Sequence, residues 1–457
     1  MGLHMSDGRT AVMTEMRANP YNLMPTYVAD YEDCLNLLLN CDEAEYEQSK
    51  DHFETRLQLM EQGDPHSPWY RLCKAGLYMH WGLVHTRMGE QYKAALKLRK
   101  CFALVKENRA MFPAFAYNDV YTGLQDAVIG SLPGNYKWIA GLFGMKGNLK
   151  QGVNKLDNFV KTHTAGQPLY NEAVLYAAYV AFYLNADKNE VWNMMSSGRY
   201  ATQHELLNAF VKASMAIDYH KADAAIGVLQ QARQDPNYNR YPVLDLQMGL
   251  ALLAKCDMSC VTYFQQYLKQ TKSSLYIKEC WQKMAWAWDI NGNMAQAEHC
   301  RKQILTNGTE QLDADKQAEK FARAGKWPLK ELLQARLLTD GGYAGEALRI
   351  LTTINMSVLT DAAEKAEYYY RLGRVYEESN NDGKALQYYQ QCIVAGKDSH
   401  EQFAARAALQ QGVVYEQEGN KQKALDSYRQ CLDMPAHDFQ NSIDQYAKAG
   451  INRLEDK

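Results

Sequence analysis

The fold is decided by RLGRVYEESNNDGKALQYYQQCI (residues 371–393) and QQGVVYEQEGNKQKALDSYRQCL (residues 410–432). With an offset of 39 residues, small and aromatic side chains of the first stretch fall on identical residues of the second. The pairs are Gly373 and Gly412, Tyr376 and Tyr415, Ala385 and Ala424, Tyr389 and Tyr428, and Cys392 and Cys431. Agreement at these positions predicts an internal repeat.

The small residues of the repeat have a fixed spacing, which a third segment at residues 332–354 shares. In each segment two small residues stand 12 positions apart: Gly373 and Ala385, Gly412 and Ala424, and Ala335 and Ala347. Small side chains there let two helices approach closely, while Tyr, Leu and Phe fill the space between them. The pattern resembles the tetratricopeptide repeat, a helix-turn-helix unit. The resemblance implies a right-handed α-solenoid of antiparallel helix pairs.

The same frame continues upstream in weaker form, at Gly82 and Ala94, Ala213 and Ala225, and Ala285 and Ala297. Apolar residues recur at helical spacing along the chain, and no alternating run with hairpin turns is evident. We therefore predict an all-α protein with about six to eight tetratricopeptide-like helix pairs.

Chain breakers suggest how the protein is organised. DPNYNRYP (residues 235–242) reads as a connection, and the polar segment from Asn307 to Pro328, which has room for a helix before Trp327, reads as a boundary. Residues before about Pro20 are predicted to be a disordered tail, whose start MGLHM resembles residues left by a cloning site. The predicted divisions are a tail at 1–20, degenerate helix pairs at 21–165 and 166–306, and C-terminal repeats at 327–457.

Composition argues against several classes of partner. The formal net charge is -3, from 50 basic and 53 acidic residues, so the chain lacks the strongly basic balance typical of nucleic-acid binding. No run approaches the roughly 20 apolar residues of a membrane-spanning helix, and no intact signal peptide is evident. We expect no nucleic-acid partner and no membrane-spanning segment, and leave the oligomeric state open.

Motifs of catalysis and cofactor binding are missing from the sequence. Gly141, Gly144 and Gly147 lie beside lysines but lack the GxxxxGK[ST] order of a phosphate-binding loop, and Asn148 is placed instead to cap a helix. The ten cysteines form no CxxC pair, and the eleven histidines form no metal-binding arrangement. We predict no cofactor, no metal, no catalytic residue and no enzymatic activity.

A second resemblance spans most of the chain. It is carried by NPYNLMPTYVADYEDCLNLLL (residues 19–39), WIAGLFGMKGNLKQGVNKL (residues 138–156) and WPLKELLQARLLTDGGYAGEAL (residues 327–348). These stretches resemble uncharacterised Bacteroidetes tetratricopeptide proteins and, more distantly, the eukaryotic inclusion-body-clearance branch. The resemblance implies no enzymatic activity. Because the bacterial members commonly look exported, we expect a periplasmic or cell-surface location with the signal peptide removed, with the cytoplasm as the alternative.

Stacked helix pairs present a concave face, formed mainly by the first helix of each pair, which favours binding of a protein or peptide. In the repeat frame, four residues are expected on that face: Arg336, Tyr370, Arg374 and Arg406. Because arginine offers a planar fork to a carboxylate, we hypothesise that they bind an acidic or carboxylate-ended peptide. The alternative is that they are ordinary solvated charges, balanced by Glu377 and Glu416.

Aromatic content leaves a second function open. The chain has 31 tyrosines and 8 tryptophans, and SusD-like glycan-binding proteins also build on tetratricopeptide helices and stack sugars on aromatic side chains. Most tyrosines here fall at helical core spacing, and the chain lacks long irregular insertions between its predicted helices. We therefore place a protein-binding scaffold first and a glycan-binding protein second.

Overall fold

The computed structural model describes residues 5–19, 21–132, 141, 145–184, 188–196 and 206–455. In this part of the chain the regular structure is helical, with no β-strand. The α-helices are α1 Met5–Ala18, α2 Met24–Asn40, α3 Glu43–Met60, α4 Pro68–Arg87, α5 Gln91–Met111, α6 Asn118–Ser131, α7 Leu149–Thr162, α8 Tyr170–Tyr179, α9 Lys188–Ser196, α10 Leu206–Asp218, α11 Ala222–Ala232, α12 Val243–Leu253, α13 Cys260–Gln270, α14 Ile277–Ile290, α15 Met294–Thr306, α16 Asp313–Ala324, α17 Lys330–Asp340, α18 Ala344–Thr353, α19 Ala362–Glu378, α20 Asp382–Gly396, α21 Phe403–Gln417, α22 Lys421–Leu432 and α23 Gln440–Glu455.

In the part of the chain that the structure describes, one type of turn joins the two helices of seven pairs. A residue with positive φ follows the first helix, and the next backbone N–H donates to the carbonyl five residues earlier, at 2.8–3.0 Å. This is the Schellman closure of a helix end. The seven positive-φ residues are Gly89, His220, Cys256, Gly292, Gly342, Asn380 and Gly419. Four of them are glycine, the residue that adopts this conformation without steric cost.

The predicted repeat frame is confirmed around these turns. In every pair a small residue lies seven positions before the positive-φ residue, for example Gly373 before Asn380 and Gly412 before Gly419. A Cβ on Gly373 would lie 2.4 Å from the Tyr389 ring, and one on Gly412 would lie 2.4 Å from the Tyr428 ring. The small residue thus makes room for the second helix of the pair, and the seven pairs fall within the predicted six to eight.

One pair was missed from the sequence. This pair is formed by α12 and α13. Gly249 of α12 stands seven residues before the turn residue Cys256, and a Cβ on Gly249 would lie 2.6 Å from the Phe264 ring of α13. The expected alanine of the second helix is replaced by Val261, and the turn has cysteine where glycine is usual. Phe264 also stands 15 residues after Gly249, one fewer than the 16 residues between Gly373 and Tyr389, so the aromatic position of the frame did not reveal this pair either.

The N-terminal helices pack back against the middle of the chain. Leu35 and Leu39 of α2 belong to the same apolar core as α10–α15. Arg87 Nη2 donates to the Tyr276 hydroxyl at 2.9 Å, and the Ser274 amide donates to Glu43 at 3.0 Å, joining residues 189 and 231 positions apart. The superhelix therefore contacts itself beyond the neighbouring pairs.

A buried polar network ties four of the N-terminal helices together. His80 of α4 lies between Asp30 of α2, to which its Nδ1 donates at 2.8 Å, and Glu172 of α8, 3.7 Å from its Nε2. Tyr27 of α2 and Tyr121 of α6 both donate their hydroxyl protons to the Glu172 carboxylate. Burial alone would lower the pKa of His80, but the two carboxylates outweigh it and raise the pKa to about 9.

Other sequence predictions have mixed outcomes. The disordered tail before Pro20 is wrong for Met5–Ala18, which form α1, where Arg9 lies 3.3 Å from the buried carboxylate of Glu32. The helix expected before Trp327 is α16, and the DPNYNRYP connection contains only the short 3-10 helix Tyr238–Arg240. The divisions at 21–165, 166–306 and 327–457 stay predictions.

The capping role of Asn148 is confirmed, because its side chain accepts from the Gln151 amide at 2.9 Å. The glycine-rich stretch before it falls mainly on residues 133–140 and 142–144, outside the described part of the chain. All ten cysteines are free, and nine of them are buried. Over the residues the structure covers, no helix has both the length and the apolar character required to cross a membrane.

Candidate binding cleft

A cleft of about 800 Å³ lies in the C-terminal half of the molecule, lined by residues of α14, α16, α17, α19 and α21 and of the segment before α23. All four residues predicted from the repeat frame line it: Arg336, Tyr370, Arg374 and Arg406. They meet because α17, α19 and α21 are the first helices of three successive pairs, which stack side by side. The structure therefore brings the four predicted residues into one cleft, and their role in binding stays a prediction.

Arg336 is more exposed than Arg371 and Arg374, the two other arginines of this cleft that form ion pairs. Its side chain is 42% exposed, its guanidinium lies 5.2 Å from the Trp286 ring, and the nearest carboxylate oxygen, of Asp340, is 3.7 Å away. Desolvation, followed by repulsion from Arg371, lowers the pKa of Arg336. Arginine nevertheless remains charged at neutral pH. Arg336 is therefore a cation whose ion pair with Asp340 is long enough to leave room for a closer anion.

Arg406 and Arg371 are also held against aromatic rings. The Arg406 guanidinium lies 5.6 Å from the Phe439 ring, and its Nε donates to the side-chain oxygen of Gln402 at 2.5 Å. Arg371 lies 5.5 Å from Phe403 and is paired with a carboxylate, Glu367, at 2.6 Å. In the described part of the chain no carboxylate oxygen lies within ion-pair distance of Arg406. Cation–π contacts hold both guanidiniums in place.

Arg374, by contrast, is neutralised within the protein. Its Nη2 lies 3.0 Å from Glu378 and its Nη1 lies 3.7 Å from Glu377. Glu378 also accepts from His220 Nδ1 at 2.7 Å, which links α19 to the turn between α10 and α11. Glu377 therefore helps to balance the charge of Arg374, as the solvated-charge alternative predicts. Glu416 instead pairs with Arg453, at 2.9 Å.

Tyr370 shapes the floor of the cleft. It is only 7% exposed, and its ring packs 5.8 Å from Phe403 and 6.0 Å from Tyr389. Most of its surface is therefore occupied by neighbouring rings. Its predicted place in the cleft is correct, but little of the side chain is left free for a ligand.

Sequence reasoning missed several lining residues. Arg371 stands two positions before the small residue Gly373, and the equivalent residues of the flanking pairs, Leu333 and Gln410, line the cleft as well. That register position is the signal that could have found them. The aromatic wall on α14 and α16 carries no comparable signal: Trp286 lies 6.3 Å from Phe321, a contact between helices that are not a repeat pair.

The rim of the cleft is joined by an ion pair. Lys320 Nζ of α16 lies 2.5 Å from Asp438 of the segment before α23, 118 residues later in the chain. Exposed pairs of this kind contribute roughly 0.2–1 kcal/mol. The next residue, Phe439, has φ 59, a left-handed backbone that costs a non-glycine residue about 1–2 kcal/mol. The attraction across the rim is thus no larger than the cost of the left-handed backbone at Phe439.

A comparison with protein-family models bears on this region. The tetratricopeptide repeat family model matches residues 366–393 and 405–438, which include α22 and most of α19, α20 and α21. The C-terminal part of the chain therefore contains tetratricopeptide repeats. No curated protein sequence matches the chain.

Solved structures of low overall similarity also match. The crystal structure of the APC/C hetero-tetramer Cut9-Hcn1 covers 98% of this chain and 87% of its own, with 13% identity and a TM-score of 0.29. The structure of Naa15/Naa10 bound to HypK-THB covers 97% of this chain and 75% of its own, with 12% identity and a TM-score of 0.21.

Proposed function

We propose that this tetratricopeptide-repeat protein is a non-catalytic scaffold that binds an acidic or carboxylate-ended segment of a protein partner in the C-terminal cleft. One observation carries the proposal: Arg336, Arg371 and Arg406 enter the same cleft, each held against an aromatic ring. A guanidinium offers a carboxylate two parallel hydrogen bonds. Because these guanidiniums are already positioned, less side-chain entropy is lost on binding.

The charges of the cleft support a choice among its arginines. Arg371 and Arg374 have carboxylate partners at 2.6 Å and 3.0 Å, so a ligand would have to compete with groups already in place. Arg336 has a carboxylate only at 3.7 Å, and Arg406 is bonded to a neutral amide. Desolvation and then repulsion from Arg371 lower the pKa of Arg336, and a ligand carboxylate would offset that repulsion. We therefore assign anion binding to Arg336 and Arg406.

A synthetic acidic peptide tests the proposal. Fluorescence anisotropy of labelled hexaglutamate with a free carboxyl end measures its Kd for the wild type, for Arg406→Ala and for Arg336→Ala. The matched control is Arg349→Ala, which removes a 77% exposed arginine from the outer helix α18. We expect each cleft variant to weaken binding at least tenfold, about 1.4 kcal/mol, and the control to leave it unchanged. Equal affinities of Arg406→Ala and the wild type would refute the proposal.

Melting temperatures of the same protein with oligosaccharides and with hexaglutamate test the glycan alternative. In the cleft the Trp286 ring already has Lys283 Nζ at 4.3 Å and Arg336 at 5.2 Å, so cations occupy positions over its face. We therefore expect oligosaccharides to leave the melting temperature unchanged while hexaglutamate raises it. A shift with oligosaccharides and none with the peptide would favour the glycan-binding function.

A further inference from the structure

The rim ion pair joins the two ends of the C-terminal series of helices. Lys320 lies on α16 and Asp438 directly precedes α23, and both line the cleft. The cleft is consequently bounded on this side by two side chains in contact across 118 residues of sequence. A partner segment that reaches the arginines from this side meets the ion pair first.

The segment that carries Asp438 is coupled to the arginine that we assign to anion binding. Phe439, the residue next to Asp438, provides the ring on which Arg406 lies. The Asp438 amide donates to the carbonyl of His400 at 3.0 Å, and His400 Nδ1 donates to the carbonyl of Ala436 at 3.0 Å. Because the two residues are adjacent, displacement of Asp438 also moves the ring beneath Arg406.

Asp438 is an acidic group of the chain itself at the edge of a cleft lined by seven lysines and arginines and six carboxylates. It neutralises Lys320, as a carboxylate of the partner would. A second carboxylate, Glu401, is close by, and burial followed by the charge of Asp438 raises the pKa of Glu401. Lys320 and Lys326 act on the pKa of Glu401 in the opposite direction, so the two carboxylates of the rim share the attraction of Lys320. This crowding, like the left-handed backbone of Phe439, favours release of Asp438.

We propose that the Asp438 carboxylate competes with the partner for Lys320. The cleft opens when an acidic segment of the partner pairs with Lys320 in place of Asp438. The partner then needs at least two carboxylates, one for Lys320 at the rim and one for Arg406 inside. This inference rests on the proposed function and adds a gate and a minimum charge to it. An isolated chain-terminal carboxylate without a second acidic group fails to open the rim.

The test compares hexaglutamate binding to the wild type and Asp438→Asn, which keeps the shape of the side chain and removes its charge. We expect Asp438→Asn to bind at least threefold more tightly, with faster association in stopped flow. Lys320→Met removes the same ion pair and also the partner's contact, so it should bind no more tightly than the wild type. The matched control is Asp223→Asn, which removes the exposed Lys255–Asp223 pair of 2.9 Å between two residues outside the cleft and should leave hexaglutamate binding unchanged.

The outcomes separate the gate from the proposed function. If the wild type binds hexaglutamate and Asp438→Asn binds it with the same affinity and rate, the gate is overturned and the scaffold function stands. If neither binds, both proposals fall. Tighter binding by Lys320→Met would contradict a contact between Lys320 and the partner. Hydrogen exchange of residues 433–439 without peptide should rise in Asp438→Asn, and unchanged exchange would also overturn the gate.

Discussion

Replacing Gly412 with alanine tests the packing on which the whole repeat frame depends. The new Cβ would lie 2.4 Å from the Tyr428 ring, far inside the usual carbon–carbon separation of about 3.5–4.0 Å. The ring cannot slide away, because the Cβ position of Gly450 on α23 lies 2.5 Å from its other side. The Tyr428 hydroxyl, moreover, is bonded to Glu416 at 2.7 Å. The substitution therefore forces helices α21 and α22 apart.

Two opposing effects set the magnitude. Overpacking of a well-filled core costs about 1–3 kcal/mol, and the confined ring places this site at the upper end. Alanine recovers roughly 0.5–1 kcal/mol of helix propensity. We expect a net loss of about 2 kcal/mol. The matched control is Gly227→Ala in the interior of α11, where an added Cβ meets no atom within 4 Å, so only the propensity gain remains.

Urea unfolding followed by circular dichroism measures both free energies of unfolding. We expect opposite signs for the same chemical change: Gly412→Ala less stable than the wild type, Gly227→Ala slightly more stable. Replacing Tyr428 with leucine in the Gly412→Ala background should recover part of the loss, because the smaller side chain leaves room for the methyl group. A Gly412→Ala protein as stable as Gly227→Ala would refute the argument that glycine is required against the tyrosine ring.

The remaining predictions concern pH, the paired arginine and salt. Because Asp30 and Glu172 raise the pKa of His80 from 6.5 to about 9, its charge stabilises the fold fully below pH 6.5 and ceases to do so as pH rises through 9. Up to roughly 3 kcal/mol is lost; the melting temperature should fall over this range, and a flat profile would contradict the network. Arg374→Ala should change the hexaglutamate Kd less than threefold, because Arg374 is already paired; a tenfold loss, as expected for Arg406→Ala, would reverse their assigned roles. Hexaglutamate affinity should decrease steadily as salt is raised from about 0.05 M to 0.5 M, and salt-independent binding would argue against ion pairing.

The local rules of the repeat were readable from sequence, and long-range contacts were not. Gly373, Gly412 and their partner tyrosines could be found because close helix packing restricts residue type at fixed spacing. The same frame picked four residues that the structure brings into one cleft, and their binding role stays a prediction. It could not say that Arg374 is neutralised by Glu378 while Arg406 is not, because side-chain pairing on a helix depends on rotamers and neighbours.

Contacts between distant segments left no periodic trace. The aromatic wall of Trp286 and Phe321 and the rim pair of Lys320 and Asp438 join elements that are not partners in a repeat. Helix α1 was missed for a related reason: its polar sequence resembles a tail, and Arg9 finds its acidic partners on α2.

The return of the N-terminal helices onto the middle of the chain has a mechanical consequence. An open solenoid extends like a spring, because each pair touches only its neighbours. Here the Arg87–Tyr276 and Glu43–Ser274 bonds fasten one coil to the next, and His220–Glu378 fastens α19 to the centre. Pulling on the two ends must break these fastenings before the fastened coils can stretch. Beyond α19 the fastening described is the exposed Lys320–Asp438 pair across the rim, so tension that reaches these repeats would act on the width of the cleft.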